Sequence, residues 1–497
     1  MLHDELKYRI REAFGHIPTT DQEQAIDTFA MFLTDRFPQA VMVLRGSAGT
    51  GKTSLAAAVV KTMNALKQKL TLMAPTGRAA KVFSLYSNHA AYTIHRRIYR
   101  QKTAGDLSSF NLNVNNYRDM LFIVDEASMV SSFSLDDNFG SGSLLDDLIK
   151  YVYSGNNCRL MLIGDTAQLP PIGEEEAPAL IGDVLQGYGL KVYEASLNEV
   201  LRQEQESGIL WNATMVRSLI THDDLTQLPK MHIKGFADIC VVPGDELIES
   251  LATSYSRVGI DDTIVVTRSN KRANIYNEGI RRTVLDREDE LCRGDQIMIV
   301  KNNYFVVKDN NPDGNNNNTE GNNNNAGNGN SQNSRQSALN YIANGDRAVI
   351  QRVRNIREFY GFRFADISIV MPDYDDFEIT ATALLDTLNS EAASLTREQQ
   401  EQLFNNVMDD YADIPLKADR ISKIKSDAYY NALQIKFSYA VTCHKAQGGQ
   451  WSHVYIDQGY MTDDMLTPDY IHWLYTAITR ATEKVFLVNW PKTQIEE

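Results

Sequence analysis

Residues 40–53 read Ala40-Val-Met-Val-Leu-Arg45 followed by Gly46-Ser47-Ala48-Gly49-Thr50-Gly51-Lys52-Thr53, and from Ser54 the chain continues as SLAAAVVKTMNAL. A short apolar run bounded by turn residues reads as a buried strand, and the stretch after Thr53 reads as a helix. The octet between them has the spacing G-x-x-x-x-G-K-[ST], the phosphate-cradling P-loop, in the strand–loop–helix context that the motif requires. Its glycines let backbone N–H groups wrap phosphate at a helix N-terminus. Lys52 would reach the β- and γ-phosphates, and the Thr53 hydroxyl would ligate Mg²⁺. Residues 46–54 are therefore the candidate ATP-binding segment, with ATP and Mg²⁺ as the expected ligands.

Working outward, residues 70–74 (LTLMA), 120–124 (MLFIV) and 160–163 (LMLI) are further buried strands, each followed by turn chemistry or a helix start. The pattern predicts a parallel α/β sheet with helices on both faces. A second set, 263–267 (TIVVT), 434–442 (QIKFSYAVT), 453–456 (HVYI) and 484–488 (KVFLV), predicts a second sheet of the same class, interrupted by an insertion. Within that insertion, roughly half of residues 310–334 are Asn, with Gly, Ser and acidic residues between them. Such a tract buries too little apolar surface to offset its ordering entropy and reads as a loop, about 308–336. Residues 346–370 alternate like short strands, and 366–413 carry about twelve acidic residues against one basic residue, Arg397.

A chain of 497 residues, 43% hydrophobic and 23% charged, has room for two to four ordinary globular domains. Its net charge of −15 argues against a small basic protein that coats nucleic acid or anionic membrane, though not against a local basic groove. No apolar run reaches the roughly 18 residues of a membrane span, and the first fifteen residues lack the apolar core of a signal peptide. The four cysteines, Cys158, Cys240, Cys292 and Cys443, are scattered without a CxxC pair, which fits a reducing cytoplasm and argues against a zinc site.

The strand 120–124 ends in Asp125-Glu126. A carboxylate at a strand tip beside a P-loop can hold Mg²⁺, and its neighbour can polarise the attacking water. Alone the pair reads as readily as solvated charge; with the P-loop it points to hydrolysis of the nucleotide. Strand 160–163 leads into Gly164-Asp165-Thr-Ala-Gln168-Leu-Pro-Pro171. Gln168 would sense the γ-phosphate, or the segment is only a turn made rigid by its prolines. Gln22, in TTDQEQA at the start of a helix, would contact the adenine edge, or is a surface Gln beside an N-cap.

Taken together, GSAGTGKT, APTGRAA (74–80), TIH (93–95), VDEAS, GDTAQLPP, LNEVLRQ (197–203), YAVTCHKAQGGQW (439–451) and LYTAITRA (474–481) resemble, in order and spacing, the superfamily 1B helicases, the RecD-like and Dda-like branch. The resemblance spans both halves of the chain and implies an α/β architecture of two RecA-like P-loop domains with ATP between them. It places the first domain at 1–195 and the second at 196–300 and 430–497. A small SH3-like β-barrel insertion falls at 301–429, introduced by RGDQIMIVK (293–301) and NGDRAVI (344–350). It implies that Gln22 contacts adenine, that Lys52 and Thr53 serve phosphate and Mg²⁺, and that Asp125 and Glu126 are the metal carboxylate and the catalytic base. Gln168 then resembles the γ-phosphate sensor, while Arg202 and Arg480 resemble two arginines presented by the second domain; a forked guanidinium suits phosphate geometry. Thr76, Arg78, His95, Thr442, His444 and Lys445 fall in segments that face the nucleic-acid strand in the family. Gln450 departs from the pattern, since many relatives carry an acidic residue there that touches the nucleotide ribose.

The family's strand-separating hairpin maps to about 96–118, where Phe110 is either the wedge or a packed loop aromatic. Cys443 beside His444 does not read as a catalytic dyad, because neighbours on a strand point to opposite faces. The resemblance implies ATP-dependent movement on single-stranded or tailed duplex DNA, 5′ to 3′, and is compatible with action as a monomer. An RNA motor of the same superfamily and a nucleotide-switched remodelling protein that does not unwind are the alternatives. The sequence names no protein partner.

Overall fold

The computed structural model describes residues 2–101, 110–133, 140–199, 207–222, 227–303 and 342–496. The chain forms two compact units. One is built from Met1–Gln101, Ser109–Glu288 and Tyr439–Glu497; the other is formed chiefly by Asp289–Ser438.

The first unit holds two parallel sheets. The six strands of the first run in the order Ala91–Thr93, Leu70–Ala74, Leu121–Val124, Arg159–Gly164, Ala40–Gly46, Lys191–Leu197. The apolar runs read from the sequence occupy its middle, and Leu121–Val124 and Arg159–Gly164 are buried at every position. That is what a strand covered by helices on both faces requires. Register pairs Arg45 with Gly164 and with Ser196, so the P-loop and the Gly164-Asp165 turn leave the sheet at the same edge. This is the edge at which open α/β sheets place their ligands. Helices Leu2–Phe14, Thr20–Thr34 and Lys52–Ala65 contribute Ile10, Phe29 and Val59 to one core with Met42, Leu44 and Ile163.

Five parallel strands make the second sheet, in the order Ala440–Thr442, Thr263–Thr267, Trp451–Asp457, Ala481–Val488, Ile239–Val242. Here one expectation is corrected. Residues 434–442, read as a single strand, divide at Ser438: Leu433–Phe437 belongs to the second unit and Ala440–Thr442 to this sheet. The insertion accordingly spans Asp289–Ser438 rather than 301–429.

That unit is a closed five-stranded barrel of Gln296–Ile299, Arg347–Phe359, Phe362–Met371, Phe377–Leu384 and Leu433–Phe437. Its pairs are antiparallel except the closing one, Phe377–Leu384 with Leu433–Phe437. Two bulges, at Ile350/Arg352 and Arg354/Arg357, bend the long hairpin into the closure. Helices Arg397–Asp410 and Lys417–Lys425 add a core of Leu403, Val407 and Ile424 against Phe364 and Leu384. The asparagine tract at about 308–336 lies outside the described residues.

Between the first sheet's strands, Tyr99–Gln101 and Phe110–Leu112 pair as a small antiparallel hairpin within the interval 96–118. Phe110 opens its return strand, opposite Gln101, and residues 102–109 lie outside the described residues.

Candidate active site

The P-loop turns on Gly49 (φ 75°) and Gly51 (φ 81°), both in the left-handed region that a side chain resists. Gly51 caps the helix Lys52–Ala65, so that helix presents its unpaired N–H groups to the loop. Lys52 Nζ donates to the carbonyls of Gly46 (2.5 Å) and Ser47 (2.8 Å) and stands 4.0 Å from Asp165 Oδ2. Thr53 and Ser54 are exposed on the first helical turn. Loop, strand ends and second-sheet residues enclose a cleft of about 340 Å³ lined by Lys52, Thr53, Asp125, Glu126, Gln168 and Arg480, among others.

Asp125 and Glu126 sit past the tip of Leu121–Val124, where the backbone breaks into the left-handed region at Glu126 (φ 51°). The break turns the Glu126 N–H onto Asp125 Oδ1 (2.9 Å), and Tyr86 donates its hydroxyl to Asp125 Oδ2. Burial pushes both carboxyls above their usual range: for Asp125 against the Tyr86 hydrogen bond, for Glu126 against the attraction of Arg480. Two adjacent carboxyls held this way are short of positive charge, and a divalent cation fits that deficit. Among the described residues no three His, Cys, Asp or Glu side chains make a closed metal cage. Mg²⁺ does not need one, since it binds through one or two carboxylates together with phosphate oxygens. Thr53 and Asp125 are the residues that would hold it.

Arg480 follows the helix Pro468–Ile478 of the second sheet and is 3% exposed. Its guanidinium donates to the carbonyls of Thr476 (3.0 Å) and Gly449 (3.2 Å), and Nη1 lies 4.0 Å from Glu126 Oε1. In the amide orientation that satisfies both neighbours, Gln168 donates to Glu126 Oε2 (3.3 Å) and accepts from Arg480 Nη2 (3.2 Å). The loop carrying Gln168 is gripped from the second sheet. Leu169 N–H donates to Thr476 Oγ1 (2.8 Å), Gln447 Nε2 to the Leu169 carbonyl (2.7 Å), and His472 Nδ1 to the Ala167 carbonyl (2.9 Å).

Other residues are placed differently from the sequence reading. Gln22 is buried: its amide donates to the Thr50 carbonyl (3.0 Å), and its oxygen accepts from Thr19 N–H (3.0 Å) in a capping box. It thereby ties the P-loop to the start of the helix Thr20–Thr34. Arg202 lies outside the described residues. Arg78 is engaged within the protein, donating to the Gln450 carbonyl (2.6 Å) with its guanidinium 4.6 Å above the Trp451 ring. Thr76 Oγ1 caps the helix Gly77–Ser87. His95 is half-buried, and burial pushes its pKa down to about 4, so it carries no charge for a phosphate near neutral pH. Thr442 precedes the one-turn helix Cys443–Ala446 without a side-chain capping bond, and His444 and Lys445 on that helix are half-buried; burial also lowers the His444 pKa. The Cys443 thiol is buried against the Trp473 carbonyl (3.5 Å) and pushed up to about 12, which leaves no dyad with His444. Thr76 and His95 stand just past the C-terminal ends of the neighbouring strands Leu70–Ala74 and Ala91–Thr93, and Thr442 ends the edge strand of the second sheet.

Tyr86, Asp165, Arg217 and Tyr475 were not singled out by the sequence reading. Asp165 and Tyr475 lie inside quoted motifs, where adjacency to Gln168 and Arg480 is the available signal. Tyr86 lies beyond the APTGRAA motif on the same helix, and Arg217 on a helix with no motif to mark it.

Residues 19–235 match the AAA domain family and residues 437–488 the UvrD-like helicase C-terminal domain family. The two matches set a P-loop ATPase domain ahead of a helicase C-terminal domain in one chain. The chain is 22% identical to an uncharacterized protein of Acanthamoeba polyphaga mimivirus, over 90% of this chain and 94% of that protein. It is 32% identical to the ATP-dependent RecD2 DNA helicase of Deinococcus radiodurans, over 27% of this chain and 16% of that protein. A Bacteroides Pif1 helicase solved with ADP-AlF3 and ssDNA aligns over 97% of this chain and 95% of its own, at 13% identity and a TM-score of 0.43. A Candida albicans Pif1 helicase covers 97% of this chain and 96% of its own, at 14% identity and a TM-score of 0.39. No helix among the described residues is long and apolar enough to cross a membrane.

Proposed function

We propose that the protein is an ATP-driven motor that moves 5′ to 3′ along single-stranded DNA and opens tailed duplexes. The observation that carries this reading is the meeting of Lys52, Asp125 and Glu126 from the first sheet with Arg480 from the second around one cleft. Binding alone would not need an arginine from the second sheet beside the catalytic carboxylate.

In this reading Lys52 and the P-loop N–H groups hold the phosphates. Glu126 orients the attacking water and takes its proton. Arg480 stabilises the charge that develops on the transferred phosphoryl group. Thr53 and Asp125 hold Mg²⁺, which supplies charge neutralisation at the phosphates. Gln168 touches both Glu126 and Arg480, so loss of the γ-phosphate is felt at the loop gripped by Thr476, Gln447 and His472. Each turnover then changes how the two sheets grip the strand, through Thr76, Thr442, His444 and Lys445 at and just past strand C-termini.

DNA as the track is supported by the Deinococcus radiodurans relative, named a DNA helicase; the polarity rests on the branch that the motifs resemble. Stimulation of ATP hydrolysis by single-stranded DNA and by single-stranded RNA tests the track. We expect DNA to stimulate; stimulation by RNA alone would move the protein to the RNA reading.

A further inference from the structure

Resting on that function, the structure assigns to Tyr475 and Arg217 a clasp on the P-loop that ATP displaces, making both positioning residues for nucleotide binding. A P-loop grips phosphate with its backbone N–H groups and its lysine. Here one of those amides and the lysine are engaged elsewhere, and the Ser47 hydroxyl is held as well. Ala48 N–H donates to Tyr475 Oη (3.0 Å), and Tyr475 Oη donates in turn to Asp165 Oδ2 (2.6 Å). Arg217 Nη1 donates to Ser47 Oγ (2.7 Å), and Nη2 to Asn198 Oδ1 (2.8 Å). Lys52 donates to the Gly46 and Ser47 carbonyls.

Consecutive loop residues, Ser47 and Ala48, are thus held by two helices of the second sheet's half, Gly208–His222 and Pro468–Ile478. The arms are independent, since they hold different atoms of the loop and end on different partners. Arg217 also reaches the connection between the sheets, where Asn198 and Glu199 N–H groups donate to Asp21 Oδ2 (2.7 and 3.1 Å). Phosphate oxygens form charge-assisted hydrogen bonds, stronger than the neutral N–H···O bond to Tyr475. ATP therefore wins the Ala48 amide, and Tyr475 lets go. Release is passed along the same helix to Thr476, which holds the Gln168 loop, and to Arg480 beyond it.

The test is equilibrium binding of ATP, without nucleic acid, to the full chain and to Tyr475→Phe, Arg217→Gln and Lys52→Ala, together with steady-state hydrolysis on single-stranded DNA. Tyr475→Phe removes one hydroxyl and keeps the ring. It is expected to tighten ATP binding about fivefold, the worth of one hydrogen bond removed from the competing state. Strand-stimulated kcat should fall while KM for ATP falls, a split that a merely structural residue would not give. Arg217→Gln, at a half-buried position, should tighten binding in the same direction. Unchanged or weakened ATP binding in both variants overturns the clasp, even if a lowered unfolding temperature reveals a structural role. No ATP binding by the unsubstituted chain, or binding that Lys52→Ala leaves intact, overturns the proposed function and the clasp with it.

Discussion

Glu126 occupies the left-handed region (φ 51°), a conformation that L-residues other than Gly, Asn and Asp rarely take. Strain of this kind persists where the surroundings over-determine it. Here the N–H bond to Asp125 and the neighbouring Arg480 do so. Glu126→Gln is expected to lower kcat about a hundredfold to ten-thousandfold while ATP binding survives; an unchanged kcat would remove Glu126 as the base. Because burial raises its carboxyl, the base is lost to protonation at higher pH than an exposed glutamate would be. The rate should therefore fall as pH drops through that raised value, and Glu126→Gln should lose that limb of the profile. Arg480→Ala is expected to cost about a thousandfold or more in kcat, with Arg480→Lys restoring little of it, because an ammonium lacks the planar fork. Asp125 and Glu126 were legible because a carboxylate pair ends an apolar strand. The bond from Gln22 to the P-loop was not legible: a glutamine at the third position of a helix serves its own N-cap as readily as anything else.

Elements were legible where burial is two-sided. The run 263–267 is a strand at the same bounds, because all five residues are buried. Lys191–Leu197 was missed, since it lies at the edge of its sheet and its exposed positions carry polar residues. The division of 434–442 was invisible to hydropathy: both pieces are apolar, and only pairing partners separate them. Likewise the acidic run 366–413 hides a helix, Arg397–Asp410, opened by a capping box between Thr396 and Gln399. Leu403→Ala on that helix is expected to destabilise the barrel unit by about 2–5 kcal/mol, the range for a buried leucine, read as its unfolding midpoint in urea. The barrel also carries a buried carboxyl, Asp346, that accepts from Ala343 N–H and the Tyr374 hydroxyl. Burial raises its pKa to about 7 from an ordinary 3.8. A carboxyl raised on folding contributes stability at low pH that is lost as the unfolded chain ionises first. The contribution of Asp346 should therefore decline between about pH 4 and pH 7 and stay level above. Comparing the midpoint of Asp346→Asn with that of the unsubstituted chain across this window checks the sign; a gap between them that does not change with pH contradicts it.

For the whole molecule, the net charge of −15 first reads as a mark against nucleic acid. Most of the excess lies in 366–413, inside the unit Asp289–Ser438 and outside both parallel sheets. The overall balance therefore says little about the surface that meets a strand. The architecture of two parallel sheets was legible because the motifs recur in order along both halves. How Arg78 is used was not, since its contacts with Gln450 and Trp451 join segments about 370 residues apart. Strand displacement on matched duplexes with a 5′ or a 3′ single-stranded tail, with Lys52→Ala as control, tests the central claim most directly. ATP-dependent displacement from the 5′ tail, abolished by Lys52→Ala, is expected; displacement from the 3′ tail alone, or activity that survives Lys52→Ala, would refute the 5′-to-3′ DNA motor.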